Sequence, residues 1–154
     1  MKTLLLCFLF VFASPTPATA CLDISGDNKT PTEKERFDNS TVIFIGVLQN
    51  VRHTGNLGLP LAEITFKVTH LYKGQDNPKE KPVKILTGYG VGDCGVDGLA
   101  QAQIGSIWLV YARKVVLSRT EFLASGRDDL TSPLKDATEK TLQFLNSVIF
   151  KEKL

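Results

Sequence analysis

One stretch near the middle of the sequence alternates apolar and polar side chains over eight positions, from Ala62 to Thr69. Alternate side chains of a β-strand point to opposite faces, so this stretch predicts a strand with one buried and one wet face. The apolar, β-branched run from Thr41 to Leu48 predicts a strand that is buried on both faces. We expect Gly46, inside this run, to mark a bend or a bulge.

The remaining segments predict three shorter strands and two helices. The strands are Val83–Thr87, Ile107–Tyr111 and Arg119–Ala124. A brief helix is expected just before the first strand, with Thr30 as its cap, Pro31 at its first position and Glu33 completing a capping box. A second helix is predicted over residues 132–150, because Ser132 can cap it, Pro133 suits its first turn and apolar residues recur near one face.

This order of elements predicts a fold class. Five short strands with glycine-marked bends, a short helix before them and a longer helix after them are typical of a mainly β protein, a five-stranded Greek-key barrel of the oligonucleotide/oligosaccharide-binding (OB) type. We expect residues 21–154 to form a single domain, since roughly 130 residues suffice to bury one core.

The first 20 residues read as a signal peptide. Lys2 is followed by an apolar run from Leu4 to Ala13, a polar break with two prolines, and Ala18-Thr19-Ala20. The apolar run is shorter than the roughly 20 residues that a membrane-spanning helix needs, and no later stretch is as long. The sequence thus predicts a secreted or periplasmic protein, without a membrane span, whose mature chain begins at Cys21.

Cleavage at that point leaves two cysteines, Cys21 and Cys94, because Cys7 lies in the leader. Two thiols in an oxidising compartment suggest one disulfide. In the chain-entropy model, closing a loop of about 70 residues stabilises the fold by on the order of 4 kcal/mol.

Composition and motifs argue against several functional classes. The charge is nearly balanced and dispersed, with 18 basic and 16 acidic side chains, so no basic patch indicates nucleic acid. The sequence lacks the common nucleophile, zinc-protease and phosphate-loop motifs. We interpret His53, in an expected loop, and His70 as surface or packing residues, and Asp128-Asp129 as a solvated turn. No enzyme activity and no cofactor are predicted.

Several segments together resemble the netrin-like module of tissue inhibitors of metalloproteinases, especially its bacterial branch. The likeness depends on an N-terminal Cys21 and covers nearly the whole mature chain up to the last helix. The segments that carry it are Asp38–Leu48, Ile64–Gly74, Thr87–Val96, which contains the Cys94-Gly95 pair, and Ile104–Ala112.

The resemblance implies a function and a set of site residues. In the family, the N-terminal cysteine is bonded to the cysteine of the Cys-Gly pair, and its amine and carbonyl chelate the catalytic zinc of a target protease. The resemblance therefore implies that Cys21 is the chelator, that Cys94 is its disulfide partner and that the Leu22 side chain enters the target's specificity pocket. Asp23 stands where eukaryotic members have a second cysteine.

The implied contact ridge adds the Gly88–Cys94 loop and Gly95 to the residues at the terminus. Tyr89 is the aromatic residue of that loop that we expect to contact a target, whereas Trp108 reads as a core residue. The implied partner is a secreted zinc metalloprotease. The chain is expected to be a monomer and to hold no metal of its own.

Two alternatives remain open at the level of sequence. Ala18-Thr19-Ala20-Cys21 partly resembles a bacterial lipobox, and lipidation would consume both the thiol and the amine of Cys21, giving an outer-membrane lipoprotein. In the second alternative, the domain is an extracytoplasmic module that binds proteins or sugars through its loops and does not inhibit a protease.

Overall fold

The computed structural model of the protein describes residues 31–54, 61–74, 81–89, 95–117, 119–126 and 129–152. Within these ranges the chain is mainly β, and the predicted placement of a helix on either side of the strands is confirmed. The elements, in chain order, are α1 (Glu33–Asn39), β1 (Val42–Thr54), β2 (Leu61–Lys73), β3 (Val83–Gly88), β4 (Ile107–Leu117), β5 (Thr120–Ala124), β6 (Ser132–Pro133), a 3-10 turn (Leu134–Asp136) and α2 (Glu139–Glu152).

The strands form one six-stranded sheet in which β1 is central. β1 pairs antiparallel with β2 along one edge and with β4 along the other. β2 continues to β3, β4 continues to β5, and a single parallel bridge between Leu86 and Ala124 joins β3 to β5. The sheet has one strand more than the five predicted, because Ser132 and Pro133 pair with β4.

The C-terminal helix begins later than the predicted residue 132. Pro133 has an extended backbone with ψ of 135°, and α2 starts at Glu139. Thr138 supplies the start signal, since its hydroxyl accepts a hydrogen bond of 3.2 Å from the backbone N–H of Thr141, as an N-cap residue does. Ser132 and Pro133 suit a helix start, but their pairing with β4 takes precedence over that local preference.

The capping box of α1 lies two residues beyond the predicted one. The Thr32 hydroxyl accepts from the Glu35 backbone N–H at 3.2 Å, and the Glu35 carboxylate accepts from the Thr32 backbone N–H at 2.6 Å. The predicted pair of Thr30 and Glu33 was wrong, because the sequence offers the same Thr-x-x-Glu spacing twice.

Gly46 marks an irregularity in β1, as predicted. The register between β1 and β2 shifts between Ile45 and Gly46. A Cβ at Gly46 would lie 2.9 Å from the Phe44 ring and 3.2 Å from the carbonyl oxygen of Lys67. Glycine therefore allows β1 to bend over the aromatic ring beneath it.

Two hydrophobic clusters cover the two faces of the central strands. The inner cluster is built from alternate residues of the sheet and from the segment after Gly95: Val42, Phe44, Leu48, Ala62, Ile64, Phe66, Val68, Ile85, Val96, Leu99, Ala100, Trp108, Val110 and Ala112. The helix-side cluster contains Phe37, Ile43, Tyr72, Leu109, Tyr111 and Leu145. Because Phe44 and Ile43 are both fully buried on opposite faces, β1 has the two buried faces that its sequence predicts.

Candidate functional site

The predicted site residues fall into two groups. Cys21, Leu22, Asp23 and Cys94 lie outside the described residues, as does the expected leader. Tyr89 and Gly95 are described, and they flank residues 90–94 on either side. The structure therefore shows how the two ends of the predicted contact loop are held.

Both ends of this loop lie where three strands of the sheet stop. Thr54 at the end of β1 is opposite Leu61 at the start of β2, and Leu61 is opposite Gly88 at the end of β3. Tyr89 follows directly after Gly88. The loop that contains Cys94 thus leaves and rejoins the fold at this end of the sheet.

Gly95 packs directly on the backbone of Gly88. A Cβ at Gly95 would lie 2.3 Å from both the carbonyl carbon and the carbonyl oxygen of Gly88, closer than any side chain allows. The next residue is anchored as well, because the Val96 backbone N–H donates to the buried Thr87 hydroxyl at 3.0 Å and the Val96 side chain belongs to the inner cluster. The residue after Cys94 is therefore fixed against the strand from which the loop departs.

Tyr89 is held by contacts of its ring, its hydroxyl group and its backbone carbonyl. Its half-buried side chain packs against the inner cluster, and its carbonyl oxygen accepts a hydrogen bond of 3.2 Å from the Gln101 side-chain amide. Its hydroxyl oxygen lies 2.7 Å from Nδ1 of His53, and the two rings stack with centroids 5.2 Å apart and planes 13° apart. Tyr89 is thus a fixed residue at the mouth of the loop.

His53 lies on β1, and its predicted place in a loop was wrong. β1 continues through Thr54 because its last residues pair with β2 in register, Arg52 with Glu63 and His53 with Ala62. His70 lies within β2, exposed, with its ring edge-on to that of Tyr72 at 4.5 Å between centroids. The contact between His53 and Tyr89 joins residues 36 positions apart, and no local pattern in the sequence signals it.

A surface ion cluster joins the same three strands beside the loop. Glu63 Oε1 lies 3.2 Å from Arg52 Nη2 and 3.2 Å from Lys84 Nζ, so one carboxylate on β2 contacts cations on β1 and on β3. Glu63 is the best shielded of the three side chains, at 17% exposure. The cluster contributes a modest electrostatic attraction between these strands, near the point where the loop begins.

Other predicted roles can be placed in the structure. Trp108 is a core residue as predicted, 3% exposed, with its indole N–H donating to the Ser106 hydroxyl at 2.9 Å. Asp129 accepts a hydrogen bond from the Gly126 backbone N–H at 2.7 Å, while Asp128 lies outside the described residues. Across the described ranges, no three histidine, cysteine, aspartate or glutamate residues are grouped in a way that would bind a metal ion.

The helix side of the sheet contains a second polar region. An open cleft of about 510 Å³ lies between α1 and the start of α2, with Glu33, Arg36 and Lys140 among its lining residues. The fully buried Tyr111 hydroxyl lacks a hydrogen-bond partner within the described structure, as does Nε of Arg36. Burial raises the pKa of Tyr111 well above its usual range, and the negative charge of Glu33 raises it further.

No protein-family model matches the chain, and no curated protein matches it either. Among the described helices, none has both the length and the apolar character needed to cross a lipid bilayer.

Proposed function

We propose that this protein is a secreted or periplasmic inhibitor of zinc metalloproteases, similar to tissue inhibitors of metalloproteinases, that acts by binding and not by catalysis. The mature N-terminal Cys21 chelates the target's catalytic zinc through its amine and carbonyl groups. A disulfide to Cys94 fixes that terminus, and Leu22 enters the pocket beside the zinc. Asp23, Tyr89 and Gly95 complete the contact surface.

The pairing of the strands supports the OB-type barrel that this proposal includes. β1 pairs with β2, β2 with β3, β3 with β5, β5 with β4, and β4 with β1 again. This cyclic order is the one expected when a strongly bent sheet curls onto itself, and the inner cluster is the core that such a barrel would enclose.

The observation that carries the proposal is the packing of Gly95 on Gly88. With a Cβ of Gly95 placed only 2.3 Å from the Gly88 carbonyl group, no residue but glycine fits there without displacing the backbone. The Cys94-Gly95 pair of the resemblance thus has a physical reason for its glycine. The same packing fixes Gly95, the residue that follows Cys94, and a fixed neighbour is what a disulfide at Cys94 would need if it is to hold the N-terminus in place.

The proposed chemistry follows from the chelating atoms. A catalytic zinc keeps one coordination position for water, and a bidentate amine and carbonyl can displace that water. A free α-amine has a pKa near 8, so zinc readily removes its proton. Tethering Cys21 through a disulfide lowers the conformational entropy lost on binding, which an untethered terminus would incur in full.

The test is a one-residue extension at the N-terminus. The mature protein, a variant with alanine added before Cys21 and a control with alanine added after Leu154 are assayed against a panel of secreted zinc proteases. We expect inhibition by the mature protein and by the control, and its loss in the N-terminal extension, because the added residue moves the free amine away from the zinc. Unchanged inhibition by the extended protein would contradict chelation by Cys21. No inhibition by any of the three would favour an extracytoplasmic binding module or a lipoprotein modified at Cys21.

A further inference from the structure

The cleft between α1 and the start of α2 has the size and the mixed lining of a ligand site. Its volume of about 510 Å³ falls within the range of roughly 300–1,000 Å³ that is usual for small-molecule pockets. Leu130 and Phe144 form an apolar part of its wall, and both pack on the helix-side cluster. Four charged side chains also line it, from Glu33, Lys34, Arg36 and Lys140.

These four charges do not balance. Lys34 is neutralised by an aspartate one turn further along α1. Glu33 stays charged, and its carboxylate accepts a hydrogen bond of 3.1 Å from the Thr141 hydroxyl. Arg36 and Lys140 form no ion pair within the described structure. Positive charge therefore exceeds negative charge in the cleft.

The guanidinium group of Arg36 also lacks hydrogen bonds. Its Nε is one of two buried side-chain polar atoms without a partner in the described part of the chain, and the other is the Tyr111 hydroxyl oxygen. Burial raises the pKa of Tyr111, while the nearby charges of Glu33 and Arg36 act on it in opposite directions. Because buried polar groups are nearly always hydrogen-bonded, two such atoms in one region point to a polar partner from outside the chain.

The chemistry of the lining selects among possible anions. Nε–H and one Nη–H of an arginine form a planar edge that binds both oxygens of a carboxylate. A phosphate dianion would be repelled by Glu33, whereas the single charge of a carboxylate offsets the positive excess. Leu130 and Phe144 favour an apolar group beside the charge.

We propose that this cleft binds a carboxylate carried on a small apolar group, with Arg36 as the residue that recognises the carboxylate and Lys140 as a second cation. The carboxylate belongs to a free organic acid or to the C-terminus of a peptide. The inference does not depend on the proposed function, since no residue of the proposed contact surface lines the cleft.

Matched probes and matched variants isolate the charge. Phenylacetate is the probe, and phenylacetamide is the control that has the same shape without the charge. Arg36→Gln removes the cation and keeps much of the side-chain length. Arg52→Gln makes the same change on β1, at a residue that does not line the cleft.

The readout is an NMR titration of the isotope-labelled mature chain, followed at the Nε–H signal of Arg36 and at the backbone amide of Thr141. We expect phenylacetate to shift both signals until they saturate. Hydrogen bonds to charged groups correspond to roughly tenfold to hundredfold in affinity, so phenylacetamide should bind more weakly by about that factor. Arg36→Gln should weaken phenylacetate binding by a similar factor, and Arg52→Gln should match the wild type.

Three results would overturn the inference: no saturable shift with phenylacetate, equal affinity for phenylacetate and phenylacetamide, or tighter binding of phenyl phosphate than of phenylacetate. All three are measured on the wild type, so the test holds even if Arg36→Gln fails to fold. A folded Arg36→Gln variant with unchanged affinity would remove Arg36 from the site and contradict the inference as well.

An acetylated dipeptide that ends in phenylalanine distinguishes the two sources of the carboxylate. If it binds more tightly than phenylacetate and loses that affinity when its terminus is amidated, the site takes the C-terminus of a peptide. If it binds more weakly than phenylacetate, the site takes a free organic acid.

Discussion

The two faces of the sheet are stabilised in different ways. The inner cluster consists of buried hydrophobic side chains, and it extends to the candidate site through Val96, whose backbone N–H donates to the Thr87 hydroxyl. The helix-side cluster contains two tyrosines, one with an unpartnered hydroxyl, and it lies next to an open polar cleft. From this difference we expect the candidate site to depend on the inner face. Substitutions on the helix side should cost less stability.

The largest expected loss of stability follows a substitution in the inner cluster. Phe66 is fully buried and meets the edge of Phe44 at 5.6 Å between centroids, so Phe66→Ala should lower the free energy of unfolding by about 3–5 kcal/mol. Phe144 is only half-buried on the helix side, where it meets Phe37 at 5.9 Å, and Phe144→Ala should cost clearly less. Urea unfolding of both variants measures the contrast. An equal or larger loss in Phe144→Ala would contradict the claim that the inner face contributes more to stability than the helix side.

The second effect concerns the packing of Gly95 on Gly88. Gly95→Ala forces a Cβ into the Gly88 backbone and should cost about 1–3 kcal/mol, as overpacking does, while displacing the loop. Gly98→Ala is the control, because its Cβ would meet no atom within 4 Å. Its φ of 74° still costs roughly 1–2 kcal/mol for a residue other than glycine.

The two variants are therefore distinguished by where the structure changes. Amide exchange between Gly88 and Val96 should accelerate in Gly95→Ala and stay at the wild-type rate in Gly98→Ala. A Gly95→Ala variant with a wild-type loop would remove the observation on which the proposed function depends most.

A smaller effect tests the helix cover. Thr32→Ala removes the hydroxyl that caps α1 and should lower the free energy of unfolding by about 1 kcal/mol. The exchange of Gly88 and Val96 should be unaffected, because these residues lie by the inner cluster whereas α1 packs on the helix side of the sheet. Thermal unfolding together with the exchange rates of Gly88–Val96 checks both statements. Faster exchange in the loop would show that the two faces are coupled.

The smallest effect at neutral pH is expected for Tyr111→Phe. Its hydroxyl is buried without a partner in the described part of the chain, so removing it should change the free energy of unfolding by no more than about 1 kcal/mol at pH 7. At alkaline pH the variant should differ from the wild type. Burial raises the pKa of Tyr111 in the folded protein, while the unfolded chain ionises near pH 10.

The sign of this pH effect follows from proton binding. Above about pH 10 the folded state holds a proton that the unfolded state has lost, so the wild type loses up to about 1.4 kcal/mol of stability per pH unit through this group. The contribution is complete below that pH. Urea unfolding at pH 8 and at pH 11 should show a shallower loss in Tyr111→Phe than in the wild type. Equal losses in the two proteins would show that Tyr111 does not resist ionisation.

Local pattern predicted much of the fold and little of the site. The alternation at Ala62–Thr69 and the continuous apolar run at Thr41–Leu48 each led to a strand with the expected burial, because side-chain periodicity reports directly on which faces are covered. The start of α2 was misplaced because Ser132 and Pro133 satisfy a local helix rule while pairing with β4. Pairing across the sheet is a non-local choice that a local rule does not contain.

The candidate site shows the same limit more strongly. A Cys-Gly pair and a tyrosine in a glycine-rich segment identified the loop. The reason for the glycine is the distance from Gly95 to Gly88, and one of the contacts that restrain Tyr89 comes from His53 on β1. Both depend on how three strand ends meet, and the sequence contains that information only through the whole fold.

The most direct test of a zinc-chelating terminus anchored at Cys94 is the intact mass of the exported protein, combined with N-terminal sequencing. We predict a chain that starts at Cys21, carries no lipid and has lost two hydrogens to one disulfide, with a cross-linked peptide joining Cys21 to Cys94. A diacylglyceryl group on Cys21, or two free thiols, would contradict the proposed mechanism.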